Sequence, residues 1–178
     1  DPVSSSLREQ EMMDTLSKVP AGDLVLLHGC CHNPCGVELA EPHWHKLAEL
    51  ANQQGFTPFI DMAYQGLSAG VEEDAIGVRV MANAVPELLI ASSCSMNFGL
   101  YRDRVGAVAV VSETEKLAES LSSPLMNVIR GIYSMPPNHG GAIVKTILGD
   151  ETLTQAWLQE LGEMRDRING MRDAMSSK

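Results

Sequence analysis

Basic clusters are missing from this chain: 13 Lys and Arg stand against 23 Asp and Glu, giving a formal charge of -10. Nucleic acid and anionic membrane surfaces attract patches of Lys and Arg, so neither is expected as a partner. Long apolar runs are missing too. The longest, such as Val105 to Val111, have the length of a strand and fall far short of the roughly 20 residues a spanning helix needs. The first residues are polar and show no apolar targeting stretch, so the chain is expected to be soluble and cytoplasmic. Only four cysteines occur, at Cys30, Cys31, Cys35 and Cys94. Two of them are adjacent, which is a poor disulfide framework and points to a reducing compartment. No internal repeat or low-complexity linker divides the 178 residues.

What is present is a globular composition, 44% hydrophobic, enough to bury the core of one sizeable domain. After Pro20-Ala21-Gly22, the apolar run Leu24 to Leu27 reads as a buried strand. A helix follows with Pro42 in its first turn, Trp44, Leu47, Ala48 and Ala51 on one face, and Gly55 as its stop. A second strand, Thr57 to Ile60, ends at Asp61; a helix is predicted around Ala75 to Ala84, and Leu88 to Ala91 forms a third strand. This alternation predicts an α/β fold, a mostly parallel sheet flanked by helices, with ligands at the carboxyl ends of the strands. One more strand-like run, Val105 to Val111, precedes an all-helical remainder. There Leu153, Trp157, Leu158, Leu161, Met164, Ile168, Met171 and Met175 make a long apolar stripe. That helix meets no stop signal before Lys178, so the chain is expected to be a piece of something longer. We divide it into a lead-in (1–21), a core (22–150) and the start of a long helix (151–178).

Three polar loops follow the three strands: His28-Gly-Cys-Cys-His-Asn-Pro-Cys-Gly36, Asp61-Met-Ala-Tyr-Gln-Gly66, and Ser92 through Arg104, which contains Ser-Met-Asn-Phe-Gly-Leu-Tyr. In a parallel sheet all three lie on one rim. They offer a carboxylate, a phenol, an amide, hydroxyls and arginines, a set suited to a polar aromatic phosphate.

Taken together, His-Asn-Pro-x-Gly, Asp-x-Ala-Tyr-Gln-Gly and Ser-x-Ser-x-Asn-Phe-Gly-Leu-Tyr-x-x-Arg resemble, in order and spacing, the motifs of aspartate and aromatic amino acid aminotransferases. The segment Arg130 to Gly140 adds a fourth likeness. The resemblance implies part of the fold-type I large domain, pyridoxal 5'-phosphate as cofactor, amino acid and 2-oxo acid substrates, and a homodimer. By that resemblance Asp61 keeps the pyridine nitrogen protonated so that the ring can act as an electron sink. His28 hydrogen-bonds that aspartate, and Asn33 and Tyr64 hydrogen-bond the phenolic oxygen of the ring. Ser93, Ser95 and Arg104 form the phosphate cup, where a guanidinium fork suits phosphate oxygens. Pro34 matches a proline that is cis in relatives. Arg130 matches the arginine that reaches the neighbouring subunit's site and takes the substrate's distal carboxylate, and Asn33 also faces the substrate.

The main departure is Met96, which stands where the family has its Schiff-base lysine. A thioether can neither form that bond nor shuttle the proton, so the chain as written is expected to be impaired. Cys35 and Met135 replace a threonine and an asparagine. The family's glycine-rich phosphate loop, ring-stacking aromatic and C-terminal carboxylate-binding arginine are not in the sequence. An alternative reading is a lysine-less paralogue that binds the cofactor or dimerises without catalysis. Singly, Asp61 would be read as a turn or cap residue, Tyr64 and Met96 as packing, and Arg130 as a solvated helix arginine; only their shared registration promotes them. A zinc or redox site built from His28, Cys30, Cys31, His32 and Cys35, with His43 and His45 to extend it, is disfavoured. Adjacent side chains point to opposite sides of an extended segment, and no second Cys-x-x-Cys pair completes a tetrahedron.

Overall fold

The computed structural model describes residues 1, 4 and 6–176. A short helix, α1 (Glu9–Leu16), precedes the alternating unit β1 (Leu24–His28), α2 (Glu41–Gln54), β2 (Thr57–Met62), α3 (Ile76–Ala84, entered through a 3-10 turn at Glu73–Ala75) and β3 (Leu88–Ser93). Then come β4 (Gly106–Val111) and three helices, α4 (Glu115–Ile132), α5 (Asn138–Leu148) and α6 (Glu151–Ser176). The sheet runs β1-β2-β3-β4. The first three strands are parallel, as helical crossovers require, and β4 returns antiparallel to β3. This is the mostly parallel α/β arrangement read from the pattern.

The predicted helix face is the buried one. Trp44, Leu47, Ala48 and Ala51 of α2 pack into a core with Ile60, Met81 and Leu88, and Leu161 of α6 closes it. Each fully buried large side chain of this kind contributes about 1.5–3 kcal/mol. Pro42 lies in the first turn of α2, where its missing N–H costs nothing. Gly55, at φ 76°, ends the helix in the left-handed conformation and donates its N–H to Ala51 O at 2.8 Å. The α2 and α3 helices approach so closely that a Cβ on Gly77 would lie 2.3 Å from the Trp44 indole.

Two expectations need correcting. The strand at Leu24 to Leu27 is not buried throughout: Leu24 is 54% and Leu26 59% exposed, because β1 is the edge of the described sheet and one of its faces is uncovered. The stripe on α6 is likewise buried only at Leu161 and half-buried at Trp157 and Leu158. Leu153, Met164, Ile168, Met171 and Met175 lie on the surface, because the core meets α6 only around its middle. Among the described residues no helix is long and apolar enough to cross a membrane.

Candidate functional site

The parallel register of β1 and β2 sets His28 beside Asp61 at the carboxyl ends of adjacent strands. The loop leaving β1 then folds back across that rim. Asn33 Nδ2 donates to Tyr64 Oη at 3.2 Å, and the Asn33 backbone N–H donates to His28 Nδ1 at 3.4 Å. The His28 and His32 rings lie 4.6 Å apart. The peptide between Asn33 and Pro34 is cis. Among the described residues the His28 imidazole is turned toward this loop and makes no hydrogen bond with the Asp61 carboxylate beside it.

The third loop begins where β3 ends at Ser93, whose Oγ accepts the Ser95 N–H at 3.1 Å. Its neck is closed by Cys94 N–H donating to Val105 O at 3.1 Å, directly before the Ser93–Gly106 strand pair. This brings the backbone at Ser93 and Ser95 and that at Arg104 to the two sides of one loop neck, with Met96 inside a turn closed by Gly99 N–H to Met96 O at 3.3 Å. Arg104 is exposed, at φ 51°, and donates Nη1 to Tyr101 O at 3.0 Å. A guanidinium carries five N–H donors, so most of the fork is left for an anion. Burial pushes the Cys94 thiol above its ordinary pKa and keeps it neutral.

A cavity of about 320 Å³ brings Asn33, Tyr64 and Met96 together, with Tyr101 and Arg172 also in its wall. Asp61, Ser93, Ser95 and Arg104 do not line it; they stand on the flanking strand ends and loop. A larger groove of about 1000 Å³ runs along β1 and carries His28, His32 and Cys35 in its wall. Arg130 lies apart on α4, a helix that buries none of its side chains. Cys35 Sγ and His32 Nδ1 are 3.0 Å apart. Among the described residues no three His, Cys, Asp or Glu side chains are grouped to hold a metal ion. Cys30 and Cys31 are buried; their mutual hydrogen bond first, and then burial, push the Cys30 thiol far above its usual range.

The motifs left unassigned the residues that tie these loops to the helices. Asn97 Nδ2 donates to Gln65 O at 3.2 Å, and Trp157 Nε1 of α6 donates to Asn97 O at 2.8 Å. The Trp157 ring stacks on Phe98 with centroids 4.4 Å apart. Asn169 Nδ2 reaches Ser68 O at 3.1 Å. Gln65, Asn97 and Phe98 lie inside the quoted motifs and Trp157 in the apolar stripe, but no sequence signal pointed to Ser68 or Asn169.

By donor chemistry, the amide and phenol of the cavity, with a carboxylate, hydroxyls and a guanidinium on the strand ends and loop beside it, suit a planar, phosphorylated, nitrogen-containing ring. Met96 presents no amine to it, so a covalent bond at that position has no partner.

The family described as aminotransferase class I and II matches residues 3–178. The chain is 46% identical over 172 residues to the aspartate aminotransferase of Haemophilus influenzae, covering 97% of this chain and 43% of that protein. It is 45% identical over 163 residues to the aromatic-amino-acid aminotransferase of Pseudomonas aeruginosa, covering 92% of this chain and 41% of that one. Among solved structures, the aromatic-amino-acid aminotransferase of Burkholderia pseudomallei covalently bound to pyridoxal phosphate superposes with a TM-score of 0.95 at 42% identity, over 97% of this chain and 43% of that one. The chain thus spans less than half the length of the relatives it matches.

Proposed function

The chain belongs to the aminotransferase class I and II family, and from that premise we propose that it is the cofactor-binding segment of a pyridoxal-phosphate-dependent aminotransferase. The reaction moves an amino group between an amino acid, either aspartate or glutamate or an aromatic one, and a 2-oxo acid. The observation that carries this reading is the Asn33–Tyr64 hydrogen bond beside Met96 in one cavity, with Asp61 on the neighbouring strand end.

When bound, the cofactor supplies an electron sink for the bonds at the substrate's Cα. The residues of this chain bind and orient it. Asp61 holds a proton on the ring nitrogen, and the Tyr64 hydroxyl, steadied by Asn33, donates toward the ring oxygen. Ser93, Ser95 and Arg104 take the phosphate, and His28 supports the Asp61 side of the rim. Arg130 serves a site across a homodimer, where its fork pairs with a distal carboxylate. The core at 22–150 then forms part of the large domain, and 151–178 leads toward a small domain. The setting is the cytoplasm.

Met96 favours a second reading, a lysine-less member that holds the cofactor or dimerises without turnover. The test is to treat the protein with pyridoxal phosphate and borohydride, and then with Met96→Lys. The native chain should show no pyridoxyl adduct on the peptide carrying residue 96, while the substituted full-length protein should gain the adduct and transaminate orders of magnitude faster. An adduct on Lys46, Lys116 or Lys145 would show the site to be elsewhere. A Met96→Lys protein that takes the adduct but stays inactive would establish the second reading.

A further inference from the structure

We propose that Asp74 is the positioning residue for Tyr64, acting by clamping the loop that carries the phenol into the site. Asp74 is a charged side chain only 5% exposed. A buried carboxylate is costly unless its lone pairs are met, and this one is met four times by backbone. Oδ2 accepts from Gly66 N–H at 2.8 Å and Ser68 N–H at 3.0 Å; Oδ1 accepts from Ala69 N–H at 2.8 Å and Gly70 N–H at 3.4 Å. Hydrogen bonds to a charged acceptor are about twice as strong as neutral ones.

The direction of these bonds separates this role from ordinary helix capping. A capping side chain accepts from amides that follow it, in the first turn of its own helix. Asp74 sits in the 3-10 turn that leads into α3, yet all four donors precede it, in the loop after Tyr64. Its carboxylate therefore shapes the loop rather than starting the helix.

Tyr64 is held between this clamp and a strand end. Upstream, the registers of β2 with β1 and β3 fix Asp61 and Met62. Downstream, Leu67 N–H donates to the carbonyl of Tyr64 itself at 3.1 Å, and Gly66, two residues on, is the first amide bound by Asp74. Gly66 holds φ +95°, and a Cβ there would lie 2.4 Å from Leu161, so the wrapped loop is also pressed against α6. Freeing the loop lets the phenol leave Asn33 while the sheet and the helices stay in place.

This inference rests on the proposed cofactor reading only where a ligand is used, and its test separates the two. The full chain contains three tyrosines, so ¹³Cζ-tyrosine labelling gives three resonances, with Tyr64 assigned by Tyr64→Phe. Tyr133, a surface residue outside the cavity of Tyr64, supplies the exposed reference. In Asp74→Asn, which keeps the shape and removes the charge and one acceptor, the Tyr64 resonance should move toward that of Tyr133 while the protein still melts cooperatively. Its Kd for pyridoxal phosphate should rise by roughly ten- to a hundredfold, the scale of losing one hydrogen bond to a charged oxygen. In the Tyr64→Phe background the same substitution should change Kd by less than about twofold, because the effect acts through the phenol. An unmoved Tyr64 resonance in folded Asp74→Asn, or an equal loss of affinity without the phenol, overturns the proposal. Failure of the native protein to bind pyridoxal phosphate would defeat the cofactor reading, and the ligand-free resonance comparison would still decide the role of Asp74. Should Asp74→Asn not fold, amide exchange in the native protein decides it. Protection of Gly66, Ser68, Ala69 and Gly70 together with one narrow Tyr64 line supports the clamp, and exchange at open-loop rates overturns it.

Discussion

Asn33 and Tyr64, 31 positions apart, meet side chain to side chain, with the amide Nδ2 donating to the phenolic oxygen across 3.2 Å. That bond occupies a lone pair of the phenol and leaves its own proton free to point into the cavity. Each residue therefore depends on the other to act on a ligand. We predict that Asn33→Ala and Tyr64→Phe weaken pyridoxal phosphate binding non-additively, with a coupling of about 0.5–1.5 kcal/mol, the worth of a neutral hydrogen bond. Isothermal titration of the two single variants and the double variant measures it. Losses that simply add would mean the two side chains act apart.

Arg130 stands exposed near the end of α4, away from the cavity that holds Tyr64 and Met96. If it takes a distal carboxylate across a dimer, its removal leaves that carboxylate buried and unpaired, a loss on the order of 3–5 kcal/mol. In full-length protein carrying Met96→Lys, Arg130→Ala should lower kcat/KM for aspartate or glutamate far more than for phenylalanine. The ratio of the two losses on one preparation is the measurement. A ratio near one would make Arg130 a structural residue.

The close crossing of α2 and α3 makes another prediction. Gly77→Ala places a methyl carbon 2.3 Å from the Trp44 ring, and Trp44 is fully buried. Overpacking of this kind costs about 1–3 kcal/mol, against which alanine's better helix propensity returns about 1 kcal/mol. A lowered urea midpoint at unchanged slope is expected. A midpoint that rose would show that the helices can separate cheaply.

The lead-in helix should be acid-sensitive. Glu9 of α1 bonds Lys46 of α2 and faces His43, and the Lys46 hydrogen bond holds its carboxyl below the ordinary value of 4.5. A carboxyl with a depressed folded pKa contributes stability above its unfolded pKa and loses it as pH falls through the folded one. The protection of the amides in residues 9–16, taken relative to their intrinsic exchange rates at each pH, should fall as the pH is lowered below 4.5, ahead of the core strands, and Lys46→Ala should weaken that dependence. Exchange in α1 that tracked the core at every pH would rule the ion pair out as its anchor.

The α2 face was legible because Trp44, Leu47, Ala48 and Ala51 share one helical side and Gly55 marks the stop, both local signals. The strand ends fell within one or two residues of their predicted limits for the same reason. Exposure of Leu24 and Leu26 was not legible, since an apolar run does not say what lies beside the edge of a sheet. The direction of β4 was equally hidden, because an apolar run carries no polarity. At the site, Asn33, Tyr64 and Met96 were found through the motifs, and the cavity joins them. Asp74 escaped because an acidic residue before a helix looks like a cap or a solvated charge. Only the backbone path of Gly66 to Gly70 reveals where its bonds go.

Strand β4 lies beside β3 with Gly106 opposite Ser93, and a Cβ at Gly106 would come within 2.4 Å of the Ser92 carbonyl oxygen. Both ends of the Met96 loop are thus fastened to each other, while Asn97 and Phe98 within it are held by Gln65 and Trp157. Added length between Tyr101 and Arg104, beyond the residues anchored by Gln65 and Trp157, costs little closure entropy, because that cost grows only slowly with loop size. A single residue removed from Gly106–Val111 would turn the remaining side chains of the strand to the opposite face. Tolerance to insertion and deletion therefore changes abruptly at Gly106: on one side a change of length alters an aperture, and on the other it alters which way the sheet faces.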